Sequence, residues 1–262
     1  MPELGRPRAT IYFEQTPPDS GAAGVSRRTV TLVNGHTRSS SDFRIMARRL
    51  ASAGIEVITL DNRGAGRTTA EIPYSVEEFR DDVIGVWDHL GIATSEIVGI
   101  SMGGLIAQQV AAHAPTRVTR LVLVSTAADR RWIGGGDQSW VTDAVGIDRK
   151  MRSYFAPAFV KRNELLVQSM VKQTLKAVSE GDFALRADAQ RDAIKRFPAP
   201  DLSRITAPTL VVHGDEDGIV VPDGGRDLAS RIPGARLLLI PGGGHLLLAE
   251  KPAELLAAII DQ

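Results

Sequence analysis

A serine between two glycines is the first feature of the chain that points to chemistry, in Gly99-Ile-Ser101-Met-Gly103. A serine hydroxyl is a poor nucleophile unless it projects into a pocket beside a base. The pattern lies between a predicted strand and a predicted helix. A sharp turn there would expose the Ser101 hydroxyl and direct the first helical amides toward a substrate. Because side chains at Gly99 and Gly103 would collide with the backbone, this context predicts a nucleophile rather than an ordinary glycine-rich turn.

The chain has five histidines, and their positions relative to the predicted strands and helices indicate which of them is the best candidate for the general base. His89 and His113 fall in or at the end of predicted helices, where a structural or surface role is the ordinary expectation. His36 and His213 lie at the ends of predicted strands. His245 follows three glycines directly after the last predicted strand, in a loop that can reach the carboxyl edge of a sheet. A base must meet both the hydroxyl and the leaving group, and we predict that His245 does so.

The third group should be an acid that accepts the other ring N–H of the histidine and stabilises the imidazolium. The loop His213-Gly-Asp215-Glu-Asp217 follows the penultimate predicted strand and offers three carboxylates. A solvated turn or a cation-binding loop would give a similar cluster, but the spacing lacks the oxygen-ligand series of a calcium loop. We therefore expect no metal. Asp217 is our choice, Asp215 is the alternative, and Asp129, after an earlier strand, is a third candidate.

Strand-like and helix-like segments alternate along the chain and would position these residues. Apolar and β-branched runs predict strands at 29–33, 55–60, 96–100, 121–124, 209–212 and 236–240. Apolar spacing and capping residues predict helices at 41–53, 75–90, 102–113, 225–231 and from about 253. The run 16–24 is predicted as a loop joining two early antiparallel strands. The alternation predicts an α/β fold, with a mostly parallel sheet covered by helices on both faces.

The interval from Ala128 to Pro200 breaks this rhythm, because it holds helix-compatible stretches without a clear strand. Additional core helices are one interpretation. Its position between two core strands favours a helical cap over the carboxyl edge, where open α/β sheets bind ligands. We therefore predict a core formed by 1–127 and 201–262 and a cap at 128–200. The large aromatic rings of this interval would either form the wall of a substrate pocket or pack against one another inside the cap. Those predicted to wall the substrate pocket are Trp132, Trp140, Tyr154, Phe155 and Phe159.

The composition excludes several classes of protein. A length of 262 residues, with 43% hydrophobic residues, suits one α/β domain with a modest insertion. Thirty-one basic residues balance thirty-one acidic residues, so neither nucleic acid nor a membrane is an expected partner. The absence of cysteine excludes a disulfide scaffold, a thiolate nucleophile and a cysteine-ligated metal. We find no secretory signal and no run of about 20 apolar residues, and we expect a cytoplasmic protein.

Together these motifs make the sequence resemble the α/β-hydrolase superfamily over nearly its whole length. The chain order Ser101, Asp217, His245 is the order of that superfamily. The resemblance extends to Asp61-Asn-Arg-Gly-Ala-Gly66 after the second core strand and to Pro208-Thr-Leu-Val-Val-His-Gly-Asp-Glu-Asp217. The superfamily places its acid at the end of the second motif, which supports Asp217. It places its histidine in a glycine-rich loop like the one before His245.

The resemblance also implies an oxyanion hole made of backbone groups. One donor would be the N–H of Met102, next to the nucleophile, and the other would be the N–H of His36. Many relatives have His-Gly where this chain has Asn34-Gly35, a change that keeps the backbone donor. A nucleophilic Ser101 argues against the dehalogenase and epoxide-hydrolase branches, which use aspartate.

Small esterases, enol-lactone hydrolases and cofactor-free perhydrolases are the branches that the sequence resembles most. The resemblance implies hydrolysis of a small ester or lactone without a cofactor. The expected partner is a small-molecule substrate that is uncharged or weakly anionic. Two alternatives stay open, since fold does not decide between them. One is a non-hydrolytic reaction on the same scaffold, such as carbon–carbon cleavage, perhydrolysis or a lyase reaction. The other is a ligand receptor that retains the triad.

Overall fold

The computed structural model of the chain describes residues 2–19, 28–133, 141–179 and 181–261. Its strands are β1 (Glu3–Arg6), β2 (Ala9–Thr16), β3 (Thr29–Val33), β4 (Glu56–Leu60), β5 (Thr69–Ala70), β6 (Ser95–Ile100), β7 (Val118–Val124), β8 (Thr209–Gly214) and β9 (Arg236–Ile240). Its helices are α1 (Arg44–Ser52), α2 (Val76–His89), α3 (Met102–His113), α4 (Ala144–Ser153), α5 (Pro157–Arg162), α6 (Glu164–Ser179), α7 (Phe183–Lys195), α8 (Pro222–Arg231), α9 (Leu247–Glu250) and α10 (Pro252–Ile260). Within the described ranges, no helix combines the length and apolar character that a membrane span requires.

The strands of the described residues form one sheet in the order β1-β2-β4-β3-β6-β7-β8-β9, and β5 pairs with β2. Strands β4, β3, β6, β7, β8 and β9 are parallel, whereas β2 runs antiparallel to β4 and β1 runs antiparallel to β2. The strand order reverses at β3, which lies between β4 and β6. The carboxyl ends of β3 and β6 therefore flank the point at which open α/β sheets bind ligands. The prediction of an α/β fold with a mostly parallel sheet is confirmed.

Successive side chains of the parallel strands enter two different apolar cores, one on each face of the sheet. In β7, Leu121 and Leu123 belong to one core and Val122 and Val124 to the other. Apolar side chains of α2, α3 and α8 close the first core, and those of α1 and α10 close the second. Because both faces are covered, the strands are nearly continuous apolar runs, which made them recognisable in the sequence.

Helices α4 to α7 lie between β7 and β8 in the chain, and the described residues of the interval 128–200 contain no strand. Ile147 of α4 packs with Val171 of α6 in a small apolar cluster separate from the two cores of the sheet. Helix α7 differs, because its Ala193 belongs to the core that α2 and α3 close. The helical character of the interval is as expected. Its division from the core as a cap stays a prediction.

Candidate active site

Ser101 lies at the turn where β6 ends and α3 begins. Its φ of 55° and ψ of −116° belong to a region that residues with a side chain rarely adopt. Two hydrogen bonds stabilise this backbone conformation: the N–H of Ser101 donates to the carbonyl oxygen of Val124 (2.9 Å), and the side-chain Oγ1 of Thr126 donates to the carbonyl oxygen of Ser101 (2.9 Å). The turn places the Ser101 side chain on the wall of a cavity at the carboxyl edge of the sheet.

Two glycines are required for this turn, as predicted. A Cβ atom on Gly103 would lie 2.1 Å from the carbonyl oxygen of Val33, and one on Gly99 would lie 2.3 Å from the carbonyl oxygen of Gly103. Both distances are far below van der Waals contact, and the opposing atoms belong to the backbone. Helix α3 can therefore pack this closely against β3 and β6 only because these residues lack a side chain.

Three side chains that follow three different strands meet beside this turn. Oγ of Ser101 lies 3.0 Å from Nε2 of His245, and Nδ1 of His245 lies 2.9 Å from Oδ2 of Asp217. Since an ionised carboxylate only accepts hydrogen bonds, Nδ1 carries the proton and Nε2 is left to accept from the Ser101 hydroxyl. This is the arrangement in which an imidazole can remove the proton of a serine.

Asp217 is held by its own loop as well as by the imidazole. Its Oδ1 accepts hydrogen bonds from the N–H groups of Ile219 (2.9 Å) and Val220 (3.0 Å), and Nε2 of His213 lies 3.3 Å from its Oδ2. Burial acts to raise the pKa of Asp217, but the interactions with His245 and His213 outweigh it and lower the pKa below its usual range. Asp217 therefore stays ionised beside the imidazole.

The other acids considered from the sequence make different contacts. Asp215 is exposed, and its Oδ1 accepts from the N–H of Gly242 (2.7 Å). Asp129 accepts from the N–H of Arg131 (2.9 Å) and caps the short turn after β7. Of the three, Asp217 is the acid whose hydrogen bond to the imidazole the structure shows. In the described part of the chain, no three His, Asp or Glu side chains are grouped as they would be around a metal ion.

The loop after β3 approaches Ser101 from the other side. A Cβ atom on Gly35 would lie 3.2 Å from Cβ of Ser101, so the backbone leading to His36 passes close to the hydroxyl. Asn34 supports this loop, because its Oδ1 accepts from the N–H of Gly35 (2.8 Å) and its Nδ2 donates to a carbonyl five residues later (2.8 Å). On the opposite side, the N–H of Met102 belongs to the first turn of α3, where the helix supplies no acceptor. These are the two regions predicted to form the oxyanion hole.

The His36 side chain is bonded to α7. Its Nε2 donates to the carbonyl oxygen of Ala187 (2.7 Å), since a carbonyl can only accept. Burial lowers the pKa of His36 to about 4, and the positive charges of Lys150 and Arg191 act in the same direction. The imidazole is therefore neutral and bonded to α7 through Nε2, and the backbone N–H is the group of His36 that the resemblance assigns to the oxyanion hole.

A cavity of about 780 Å³ opens from Ser101 toward helices α4, α6 and α7. Tyr154, one of the aromatic residues predicted to wall the pocket, lines this cavity, and its ring centroid is 5.7 Å from that of His245. Burial raises the pKa of Tyr154 to about 12, so its hydroxyl stays protonated at neutral pH. Phe183 of α7 also lines the cavity, although the sequence did not single it out as a contact.

The remaining aromatic predictions have different outcomes. Phe155 and Phe159 do not line the cavity, and their rings stack on each other with centroids 5.3 Å apart. Trp132 also lies off the cavity wall, since it packs beside Gly224. We therefore assign these three rings to packing. Trp140 lies outside the described residues.

The cavity wall carries an excess of positive charge although the chain as a whole is neutral. The basic side chains that line it are Arg38, Arg130, Lys150, Arg191 and Lys195, and the acidic ones are Asp42 and Asp129. Among these cations, Arg38 lies 2.6 Å from Asp42, Arg191 lies 2.9 Å from Asp188 and Lys195 lies 3.9 Å from Asp192. The convergence of Lys150, Arg191 and Lys195 depends on the folding of α4 and α7, so the balanced composition of the sequence gives no sign of it.

Two buried polar side chains that sequence reasoning missed hold the loops of this site. Gln190 of α7 accepts from the N–H of Thr37 (2.7 Å) and donates to another backbone carbonyl (2.7 Å). Oε2 of Glu250 accepts from the N–H groups of Ala156 (3.0 Å) and Gly244 (3.1 Å). Neither residue carries a local signal, because glutamine and glutamate in helices are ordinarily exposed.

Known proteins with similar sequences and structures decide the family. A family model described as serine aminopeptidase, S33, matches residues 24–252. The chain belongs to this family of α/β hydrolases. It is 29% identical over 206 residues to 3-oxoadipate enol-lactonase 2 of Acinetobacter baylyi, a match that covers 75% of this chain and 74% of that protein. It is 27% identical over 247 residues to a proline iminopeptidase of Pestalotiopsis fici, covering 85% of this chain and 86% of that one.

The same family appears among solved structures. The crystal structure of the enol-lactonase from Burkholderia xenovorans LB400 matches with a TM-score of 0.82 and 25% identity, over 99% of this chain and 98% of that one. The superfamily that the motifs indicated is confirmed, and the chain is an enzyme of the α/β-hydrolase family.

Proposed function

We propose that this enzyme is a serine hydrolase that cleaves a small ester or lactone through an acyl-enzyme. The observation that carries the proposal is the continuous series of hydrogen bonds from Ser101 through His245 to Asp217. It supports the roles of nucleophile, general base and orienting acid. The enol-lactonase among the relatives supports a lactone as one substrate class.

Acylation would begin when Oγ of Ser101 attacks the substrate carbonyl and its proton passes to Nε2 of His245. The N–H groups of Met102 and His36 would stabilise the oxyanion, and the positive end of the α3 dipole would add to this effect. The imidazolium, held by Asp217, would then protonate the leaving alkoxide. A water molecule deprotonated by His245 would attack the acyl group and release the acid, which restores the Ser101 hydroxyl.

The charge of the cavity wall supports a substrate that carries a carboxylate. The positive charges of Lys150 and Arg191 both act on His36, beside the proposed oxyanion hole, and together outweigh the opposing charge of Asp188. A positive wall attracts an anionic substrate, and the volume of about 780 Å³ suits a small molecule. We therefore narrow the expectation of an uncharged or weakly anionic substrate to an anionic one. The interval 128–200 would act as the cap that selects it.

Labelling with a fluorophosphonate, followed by peptide mapping, tests the nucleophile. We expect one adduct, on Ser101. A panel of 4-nitrophenyl esters, acyl thioesters and lactones tests the reaction. An adduct on another serine would reject this assignment of the site. Labelling of Ser101 without turnover of any of these substrates would instead favour a non-hydrolytic reaction or a ligand receptor.

A matched pair of esters tests the charge of the substrate. We expect mono-4-nitrophenyl glutarate to have a higher kcat/KM than 4-nitrophenyl pentanoate, whose acyl chain has the same length without the carboxylate. Lys150→Met should lower this ratio by about tenfold, the effect of roughly 1.4 kcal/mol. Lys161→Met, at an exposed position that does not line the cavity, should leave the ratio unchanged. If Lys150→Met lowers this ratio no more than Lys161→Met does, the proposal of an anionic substrate is contradicted.

A further inference from the structure

The loop that carries His245 is held by the segment 154–156, which joins α4 to α5. The carbonyl oxygen of Tyr154 accepts hydrogen bonds from the N–H groups of His245 (2.9 Å) and Leu246 (3.2 Å). The two segments are in close contact, because a Cβ atom on Gly244 would lie 2.4 Å from the backbone nitrogen of Ala156. The backbone position of His245 therefore depends on a segment that is distant in the sequence.

One buried carboxylate bonds to both sides of this contact. Oε2 of Glu250 accepts from the N–H of Ala156 (3.0 Å) on one side and from the N–H of Gly244 (3.1 Å) on the other. Glu250 is 9% exposed, and its Oε1 is buried without a hydrogen-bond partner among the described residues. A buried carboxyl group with one unbonded oxygen costs free energy, and its hydrogen bonds to the N–H groups of the two segments offset that cost.

We propose that Glu250 is a positioning residue for His245 and that it couples the position of segment 154–156 to the base. The proposal rests on the proposed function, in which His245 removes the proton of Ser101. Gly244 directly precedes His245, so a change in the Gly244 N–H bond rotates the backbone that carries the imidazole. This rotation would change the 3.0 Å separation between Nε2 and Oγ of Ser101. A misplacement of about 1 Å at a reacting group can cost on the order of 10²-fold in rate.

The segment 154–156 also contributes Tyr154 to the cavity wall, so it contacts the substrate space as well as the base. A substrate that moves this segment would therefore act on the imidazole through the Tyr154 carbonyl and Glu250. Because the coupling acts on the proton transfer, its loss should lower kcat and leave KM for a short ester nearly unchanged.

The test compares Glu250→Ala and Glu250→Gln with Glu254→Ala, a control at an exposed position of α10. Active sites are titrated with a fluorophosphonate, so that kcat is expressed per reactive serine. We expect Glu250→Ala to lower kcat by about 10- to 100-fold and to change KM for a short activated ester by less than about threefold. Glu250→Gln keeps an acceptor for both N–H groups and should retain most of the activity. Glu254→Ala should behave as the wild type.

If Glu250→Ala does not yield folded protein, Glu250→Asp serves the same purpose, because the shorter side chain cannot reach both N–H groups, and we expect the same loss of kcat. Wild-type kcat per titrated site in the Ala or Asp variant, with only a lower melting temperature, would show a purely structural role and overturn the proposal. A Gln variant as slow as the Ala variant would also overturn it. A wild-type enzyme that hydrolyses no ester, thioester or lactone would reject the proposed function instead.

Discussion

The turn that carries Ser101 and the loop that carries His245 meet at one site but are held in different ways. The turn is local, because β6 and α3 follow one another directly and two glycines allow their close packing. The histidine loop depends on distant segments, since its N–H groups bond to the Tyr154 carbonyl and to Glu250. A short motif is thus enough to expose the Ser101 hydroxyl, the proposed nucleophile, whereas the position of His245, the proposed base, requires the tertiary structure.

Replacement of Ser101, the proposed nucleophile, should have the largest effect on this site. We expect Ser101→Ala to lower kcat by about 10⁶-fold, as loss of the serine does in a well-studied triad. The removed hydroxyl is not needed for the backbone bonds of the turn, so the variant should fold normally. Steady-state kinetics and a thermal melt measure the two quantities. Near-wild-type turnover would mean that another group is the nucleophile.

Replacement of Asp217, the acid proposed to orient His245, should have the second-largest effect. Asp217→Asn should lower kcat by about 10⁴-fold, because an amide favours the wrong tautomer of His245. Asp215→Asn should change kcat by only a few-fold, since Asp215 bonds to the backbone of Gly242. Steady-state kinetics of both variants checks the ranking, and the opposite order would move the role to Asp215. Two mild variants would point to Asp129.

The close packing at the Ser101 turn can be tested by adding a side chain at Gly103. Gly103→Ala should destabilise the protein by about 1–3 kcal/mol or more, because its Cβ atom would overlap the Val33 carbonyl. Gly5→Ala is the matched control, since a Cβ atom there meets nothing within 4 Å. Urea denaturation measures both free energies of unfolding. Equal stability of the two variants would show that the close approach of α3 to β3 is not required.

The predicted cap should affect the choice of substrate more than the chemistry. Phe183→Ala removes a ring from the cavity wall and should change relative kcat/KM values across esters of different acyl length by tens of fold. Phe159→Ala removes a ring that stacks on Phe155 instead, so it should leave that ranking unchanged. An identical loss on every substrate in the Phe183 variant would assign that ring to packing.

The smallest expected effect is a change with pH in the stability that Glu250 contributes beside the histidine loop. Burial raises the pKa of Glu250 in the folded protein, so the folded state binds this proton more tightly than the unfolded state. The stability from this group is fully present below the unfolded pKa, about 4.3, and is lost as pH rises through the folded pKa.

Glu250→Gln cannot ionise and should become more stable relative to the wild type as the pH rises from about 4 to 7. Asp217 has the opposite dependence, but it is present in both proteins and cancels in the comparison. Urea denaturation at several pH values gives the difference. A difference that does not vary with pH would contradict the prediction.

The parallel strands were predictable because burial on both faces produces continuous apolar runs. Strands β1, β2 and β5 were not located, since they lie at or beside the edge of the sheet and their burial is incomplete. The loop predicted at 16–24 follows β2, and its residues from 20 onward lie outside the described part. The strands on either side of it, β2 and β3, run in opposite directions but are separated by β4.

Helix starts were predictable where a reciprocal cap defines them. At α2, Ser75 Oγ accepts from the N–H of Glu78 (3.2 Å) and the Glu78 side chain accepts from the N–H of Ser75 (2.9 Å). This reciprocal capping box confirms the start of the helix predicted at 75–90. The helix predicted from Ser41 begins later. A short 3-10 turn occupies Ser40–Phe43, and α1 begins at Arg44. Ser41 makes no such cap, so its residue type alone did not locate the boundary.

By itself, the sequence determined the turn at Ser101 and the order of the residues that surround it, because glycine spacing and the succession of strand and helix are local properties. Only the tertiary structure decided which side chains line the cavity. Phe183 and Tyr154 reach it whereas Phe155 does not, since the face that a helix presents depends on what it packs against. The role of Glu250 was likewise decided in three dimensions, because burial of its carboxylate depends on N–H groups from two segments that meet only in the fold.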